Sequence, residues 1–160
     1  MPSLHIATAR PAQAGHISAL INALAGYFVP DPTHDSAAAF LASVTPAAIS
    51  ALIDNPACRY YVASHGGNPA LAGVIALRQL PARHHVHHLF VAPELHGQGV
   101  ARTLWQHARD AAGNDGHAGG FSVNSSVFAV PMYERLGFIA TGPEAEKNGI
   151  CFVPMQYDGR

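Results

Sequence analysis

The spacing of apolar residues along this chain changes between the period of a helix and that of a strand. After a short strand at residues 4–8, apolar residues recur three and four positions apart, which predicts a helix opened by Pro11. Its apolar face consists of Ala14, Ile17, Ile21 and Leu24. Two shorter helices are predicted next, one at residues 35–44 and one that Thr45 caps and Pro46 begins. The N-terminal third is therefore expected to be mainly helical.

The middle of the chain has the pattern of strands. Residues 59–64 and 71–78 flank a Gly- and Pro-containing turn at 65–69, so they predict a hairpin. The returning strand is apolar at every position over residues 71–77, which is typical of a central strand covered on both faces. Further strands are predicted up to Val91 and at residues 121–124, 138–140 and 150–157.

A strand, a glycine loop and a helix follow one another at residues 89–112. Pro93 stops the strand, and Gly97 and Gly99 lie in the loop. The apolar face of the helix that follows consists of Val100, Leu104, Ala108 and Ala111. The first amides of a helix lack partners and carry partial positive charge, so such a junction is suited to phosphate oxygens. Glycine also allows positive φ and lets a ligand approach without meeting a Cβ.

Two common phosphate-binding motifs do not fit this loop. A P-loop needs Gly-Lys-Ser/Thr, whereas Lys147 is the only lysine in the chain. A dinucleotide fingerprint needs a third glycine at the position of Arg102. The phosphate ligand therefore has to be of another kind.

The loop resembles the acyl-CoA loop of the GNAT superfamily of N-acetyltransferases. In that family Arg/Gln-x-x-Gly-x-Gly/Ala follows Val-x-Pro, and its backbone amides hold the CoA pyrophosphate. Here HGQGVA at residues 96–101 follows VAP at residues 91–93. His96 departs from the usual Arg or Gln, but a neutral histidine can still donate one hydrogen bond.

A second block, at residues 126–138, resembles a later motif of the same family. The chain reads SVFAVPMYERLGF where the family has Asn-x-x-Ala-x-x-Phe-Tyr-x-x-x-Gly-Phe. The positions in register are Ala129, Tyr133, Gly137 and Phe138, and the departures are Ser126 and Met132. In the family this tyrosine points at the thioester sulfur, so the resemblance implies a catalytic role for Tyr133.

The resemblance implies the fold and the activity together. The fold is then an α/β (α+β) GNAT-like one, with a mixed, mostly antiparallel central sheet of six to seven strands flanked by helices and a splayed strand pair that holds CoA. A single domain over residues 1–160 would move the acetyl group of acetyl-CoA directly to a primary amine, of a small molecule or a peptide. The implied CoA contacts are Leu89, Phe90, Val91, His96, Gly97, Gln98, Gly99, Val100, Ala101, Arg102, Asn124, Ser126 and Tyr133. The alternative is a catalytically silent acyl-CoA-binding or sensor domain of the same fold.

Four histidines lie within residues 84–88. On a regular strand His85 and His87 share one face and His84 and His88 the other, so at most two could meet one ion, and no metal site is predicted. The acceptor needs to lose a proton, because an amine of pKa ~10.4 is neutral only about once in a thousand at pH 7. His87, or His85, is a candidate general base. Alternatively these histidines only pack, and water carries the proton.

Composition and charge limit the kinds of binding partner that this chain is expected to have. A net charge of -1 gives no electrostatic footprint for nucleic acid or an anionic membrane. The two cysteines form no Cys-x-x-Cys pattern, so neither a zinc site nor a disulfide framework is indicated. The sequence begins without the pattern of a signal peptide and has no apolar run of roughly 18 residues, which favours a cytoplasmic protein. Since GNAT members often dimerise, a homodimer is left open.

Overall fold

The computed structural model describes residues 3–27, 37–66, 70–113, 120–147 and 150–157. Its strands are β1 (Leu4–Thr8), β2 (Cys58–His65), β3 (Leu71–Gln79), β4 (His84–Val91), β5 (Phe121–Ser126), β6 (Ile139–Ala140), β7 (Ala145–Lys147) and β8 (Ile150–Tyr157). Its α-helices are α1 (Ala14–Leu24), α2 (Ala38–Ala42), α3 (Pro46–Asp54), α4 (Val100–Gly113) and α5 (Val130–Leu136). Short 3-10 turns occur at Pro11–Gln13, Ala25–Tyr27 and Pro93–Leu95. No helix in these ranges is long and apolar enough to cross a bilayer.

The strands form one mixed sheet in the order β1-β2-β3-β4-β5-β8-β6, and β7 also pairs with β8. All pairings are antiparallel except that of β4 with β5. This confirms the expected mostly antiparallel sheet flanked by helices. The described sheet has eight strands rather than six or seven because β7, a short and fully exposed segment without apolar alternation, folds back onto β8.

The parallel strands β4 and β5 separate after three paired positions. The last pair is Val86 with Val123, although β4 continues to Val91 beside β3 and β5 continues to Ser126 beside β8. A gap therefore opens between the C-terminal halves of two neighbouring strands. We call it the β4–β5 gap.

Helices cover the two faces of the sheet unequally. On the α4 face, Ile75 and Leu77 pack with Leu104 and Trp105. On the α1 face, the partners of the sheet come from α1 and α3 and include Ile17, Ile21 and Ile49. This second layer packs on β2, β3 and Phe90 of β4, whereas Asn124 on β5 and Gln156 on β8 are exposed.

Most of the predicted local structure is confirmed. Ala14, Ile17, Ile21 and Leu24 are buried on α1, and Thr45 Oγ1 accepts a hydrogen bond from the Ala48 amide at 3.2 Å. On α4 the buried set includes Trp105 and Ala112, whereas Ala111 is only partly buried. The predicted helix start at residues 35–36 and the turn at 67–69 lie outside the described residues.

A β-bulge on β4 overturns the predicted faces of the histidines. Ala76 pairs with His88 but the next residue, Leu77, pairs with Val86, so His87 is the extra residue. The His87 and His88 rings lie 4.5 Å apart, which strict alternation would forbid. His85 and His88 both lie on the α1 face, while His84 stacks on Phe121 on the other. The prediction that His84 and His88 share a face is therefore wrong.

Candidate active site

A cleft of about 510 Å³ opens between the end of β4, the glycine loop and α5. It gathers most of the residues predicted to contact CoA, namely Leu89, Phe90, Val91, His96, Gly97, Gly99, Val100, Ala101, Arg102 and Ser126. The cleft is also lined by residues for which no CoA contact is predicted, namely Leu24, Tyr27, Leu95, Phe128, Ala129, Pro131, Met132, Arg135 and Leu136. The β4–β5 gap and the glycine loop therefore belong to one continuous cleft.

The glycine loop presents unsatisfied amides to this cleft. Gly97 and Gly99 have φ values of +80° and +83°, and a Cβ built on either would meet open space. The amides that make no hydrogen bond to any other described group are those of Gly97, Gly99, Val100, Ala101 and Arg102. The loop is thus a set of unpaired donors at a helix N-terminus beside the cleft, and such donors bind phosphate oxygens.

The side chain of His96 fastens the loop to the strand before it. Its Nε2 lies 2.8 Å from the carbonyl oxygen of Val91. Because a carbonyl oxygen only accepts, Nε2 carries the proton and donates it. The one hydrogen bond expected of a neutral histidine at this position is therefore made within the protein, and it holds the loop against the end of β4.

Two arginines give one lip of the cleft a positive charge. Arg102, in the first turn of α4, donates from Nη2 to the carbonyl oxygen of Arg135 at 3.1 Å. Both residues line the cleft, and no Asp or Glu is among the described lining residues. The charge of this lip therefore complements a polyanionic ligand.

Tyr133 lies just behind the cleft wall. It is 5% exposed, and its ring packs edge-on against Phe138 with centroids 5.3 Å apart. Its neighbours on α5, Met132 and Leu136, line the cleft, whereas Tyr133 itself does not. Burial raises the pKa of its hydroxyl well above the usual 10, so the phenol is protonated at any physiological pH.

Two other predicted contacts also lie outside the cleft lining. The Gln98 amide is bonded to the Leu95 carbonyl at 3.3 Å, and its side chain donates to the Glu94 carbonyl. Asn124 is exposed, and it lies on the α1 face because it is two residues after Ser122 on the same strand. The structure therefore places Asn124 beside the gap, on the side away from α4.

The predicted base His87 stands at the start of the β4–β5 gap. Burial, then the charges of Arg78 and His85, lower its pKa from 6.5 to about 4. Burial, then His87, lowers the pKa of His88 to about 3, and Nδ1 of His88 is 3.0 Å from the Tyr60 hydroxyl. These histidines are neutral at pH 7. Within the described chain no group of three or more His, Cys, Asp or Glu is placed to hold a metal ion.

The neutral histidines predict an acid-sensitive fold. A histidine whose pKa is lower in the folded state than its unfolded value of ~6.5 contributes its full stability above pH 6.5 and loses it as the pH falls toward the folded value. We expect the free energy of unfolding to fall between pH 6.5 and 4 by about 1.4 kcal/mol per pH unit for each such histidine.

Replacing His88 by asparagine should flatten this dependence, because asparagine can keep the bond to Tyr60 without titrating. The measurement is the melting temperature at pH 7.5, 6, 5 and 4, with His16→Asn, at an exposed position on α1, as the matched variant. Identical pH profiles for the two variants would contradict the role given to His88.

Sequence reasoning missed the aromatic part of the cleft. Tyr27 and Phe128 are 47% and 56% exposed, and their rings lie 4.9 Å apart. They come from the 3-10 turn that follows α1 and from the β5–α5 connection, which are remote in sequence. Only the exposure of two large rings beside one cleft identifies them, and this is a tertiary property.

Comparison with protein families finds one domain model. The acetyltransferase (GNAT) domain matches residues 28–158, which is most of the chain. No curated protein is significantly similar in sequence.

Comparison with solved structures finds the same architecture in several proteins. The PaiA N-acetyltransferase of Thermoplasma acidophilum, solved in complex with coenzyme A, is 13% identical, with 97% of this chain and 98% of that one covered and a TM-score of 0.76. An acetyltransferase of the GNAT family from Staphylococcus aureus Mu50 is 11% identical, with the same coverage and a TM-score of 0.76. An aminoglycoside 6′-N-acetyltransferase complexed with coenzyme A is 15% identical over 95% of both chains, with a TM-score of 0.69. At these identities the likeness shows the fold.

Proposed function

This chain belongs to the GNAT acetyltransferase family, and on that premise we propose that it transfers the acetyl group of acetyl-CoA directly to a primary amine. The observation that carries the proposal is the set of unpaired amides between Gly97 and Arg102, which face an open cleft. Two of the solved relatives are complexes with coenzyme A, which supports acetyl-CoA as the second substrate.

Three features of the cleft suit the parts of acetyl-CoA. The loop amides would hold the pyrophosphate, and Arg102 and Arg135 add positive charge beside it. The β4–β5 gap, lined by Leu89 and Val91, would receive the pantetheine arm, with backbone groups of these splayed residues as hydrogen-bonding partners. The thioester would then lie toward the closed end of the gap, near the bulge at His87.

The bulge suits the position of the reacting carbonyl. A bulge interrupts the ladder, so a backbone N–H of β4 there would be available to polarise the thioester oxygen. A preorganised donor of this kind is worth about 2.7 to 4 kcal/mol of barrier. As the C–N bond forms, the C–S bond breaks and the thiolate leaves. The Tyr133 hydroxyl would then stabilise this thiolate as a hydrogen-bond donor.

Between the ammonium form of the acceptor and the acetylated product, the acceptor nitrogen loses two protons. One must depart before attack, to water, and the other ends on the sulfur of CoA. His87 is neutral and half-buried beside the gap, but its pKa of about 4 makes it a weak base. Taking a proton from an amine of pKa ~10.4 would be uphill by about 9 kcal/mol. His87 can serve as proton acceptor only for an amine whose own pKa is strongly lowered in the site.

Thiol release from acetyl-CoA in the presence of a panel of primary amines tests the proposal. We expect acceptor-dependent thiol release, and a product whose mass is that of the amine plus one acetyl group. Calorimetry with CoA alone separates the alternatives, because a silent sensor domain would bind CoA saturably without releasing thiol. Absence of CoA binding would refute both functions.

A further inference from the structure

A row of polar side chains crosses the α1 face of the sheet at the closed end of the β4–β5 gap. The backbone register aligns Cys58, Arg78, His85, Ser122 and Gln156 on neighbouring strands. Paired residues of a sheet point to the same face, so these side chains form one line. The line lies one residue from the last pair that joins β4 to β5.

A second arginine is fixed to this row by a buried hydroxyl. Ser122 is 7% exposed, and its Oγ accepts a hydrogen bond from Nε of Arg83 at 2.9 Å. The same Oγ lies 2.8 Å from Nδ1 of His85. Arg83 is thereby held on the α1 face beside the histidine, although it precedes β4.

The described residues supply no anion to these two arginines. Neither Arg78 nor Arg83 forms an ion pair with a described carboxylate, whereas Arg109 lies 3.8 Å from Asp110. After burial, Arg78 and Arg83 both lower the pKa of His85, and Arg78 does the same at His87. The positive field of the two arginines therefore extends to the closed end of the gap, where the acceptor nitrogen would have to meet the thioester.

The acceptor would have to approach from this face. On the α4 face, α4 and α5 close the sheet with a continuous apolar core that includes Trp105, Tyr133 and Phe138. On the α1 face, the α1 and α3 layer packs on β2, β3 and Phe90 of β4, and Asn124 and Gln156 are exposed on the other side of the gap. Arg78 and Arg83 are exposed on this face, beside the closed end of the gap where the thioester would lie.

We propose that Arg78 and Arg83 bind a carboxylate of the acceptor, so that the substrate class is a small amino acid rather than a simple amine or a polyamine. This inference rests on the acetyltransferase function proposed above. A bare ammonium ion would be repelled by two guanidinium groups, whereas an amino acid brings the anion that they lack. The same charges lower the pKa of the bound ammonium group, which eases the loss of its first proton and suits a site whose histidine is a weak base.

The test compares acids with their own amides. The panel consists of glycine, leucine, phenylalanine and glutamate, together with the ω-amino acids from 3-aminopropanoate to 6-aminohexanoate, each beside its carboxamide. The amine of an amino acid amide is less basic than that of the acid, so a larger fraction of it is neutral at pH 7. Without a carboxylate site, the amide would therefore be the better acceptor. We expect kcat/KM for the best acid to exceed that of its amide by about 30-fold or more, because hydrogen bonds to a charged group are the strong ones.

Arg78→Gln should reduce this preference to within about three-fold and leave CoA affinity unchanged. Lys147 is exposed on β7, and Lys147→Gln removes the same charge, so this control variant should keep the wild-type preference for the acid over its amide. A direct readout is the ring signals of His85 in the CoA-bound protein, which should shift on addition of the acid but not of the amide. Arg78→Gln should abolish that shift.

The outcomes distinguish the two proposals. Saturable binding of an acid without thiol release would support the carboxylate site and refute acetyl transfer to that class. Transfer to amides at least as good as to acids would refute the carboxylate site and leave acetyl transfer standing. CoA binding with neither acid binding nor acid turnover would also refute the carboxylate site.

Discussion

Replacing Tyr133 by phenylalanine is expected to lower turnover by about 10² or more while CoA affinity changes by no more than a few-fold. The ring is buried against Phe138, and phenylalanine preserves that packing. What is lost is one hydroxyl just behind the wall of the cleft. The hydroxyl is needed as a hydrogen-bond donor only when the C–S bond breaks and the thiolate forms. Its loss should therefore lower kcat and leave CoA binding unchanged.

The protonation state of Tyr133 defines its role. A tyrosine of pKa ~10 is already a weaker acid than a thiol of pKa ~8.5, and burial raises the pKa of Tyr133 further. Full proton transfer to the sulfur is therefore uphill, and donation of a hydrogen bond is the supported description. Turnover should show no ionisation of this residue up to pH 10.

Tyr157→Phe is the matched control. Tyr157 is also buried in the aromatic cluster, 5.5 Å from Phe138, and its hydroxyl accepts a hydrogen bond from Nη1 of Arg109 at 2.8 Å. Losing that bond should reduce stability by about 1 to 2 kcal/mol and leave turnover near wild type. Equal turnover by the Tyr133 and Tyr157 variants with a good acceptor would remove Tyr133 from the chemistry.

The parts of the fold that sequence predicts are those set by short-range chemistry. The buried face of α1 follows from apolar periodicity, and the Thr45 cap follows from one hydroxyl before Pro46. The glycine loop is likewise local, because Gly97 and Gly99 adopt positive φ that other residues rarely take. Each of these features depends on residues within one or two turns of each other.

The features that the sequence does not predict depend on the register in which strands pair. The bulge at His87 is a mismatch between β3 and β4, and neither strand alone encodes where the extra residue falls. It turns His87 onto the side of His88, which is why strict alternation assigns His84 and His88 wrongly to one face. The polar row of Arg78, His85 and Ser122 is equally invisible in sequence, since its members come from three strands in register.

The glycine loop itself is a difficult place for a test by substitution. Gly99 has φ of +83°, where any side chain strains the backbone even though a Cβ would meet open space. Gly99→Val would therefore change loop geometry and stability together, and a loss of CoA binding could have either cause. A residue of normal helical conformation next to the same amides is the better choice.

Ala101→Glu is expected to weaken CoA binding by about 10²-fold without destabilising the protein. Ala101 lines the cleft in the first turn of α4, and its amide is one of the unpaired donors. A carboxylate there lies near the pyrophosphate position, and two like charges at about 6 Å repel by about 2 to 3 kcal/mol at an effective dielectric constant of 20. The same carboxylate interacts favourably with the helix dipole, so the melting temperature should stay equal or rise slightly.

A substitution that weakens CoA binding but keeps or raises the melting temperature indicates an anion site at this helix end. Ala101→Gln is the size-matched neutral control and should bind CoA close to wild type, whereas Gln106→Glu adds the same charge at an exposed position of α4 further along the helix. Calorimetric titration with CoA at low and high salt should show the defect of Ala101→Glu shrinking as salt screens the repulsion. If Ala101→Glu and Ala101→Gln bind CoA within three-fold of each other at low salt, the phosphates are held elsewhere and the loop is only a turn.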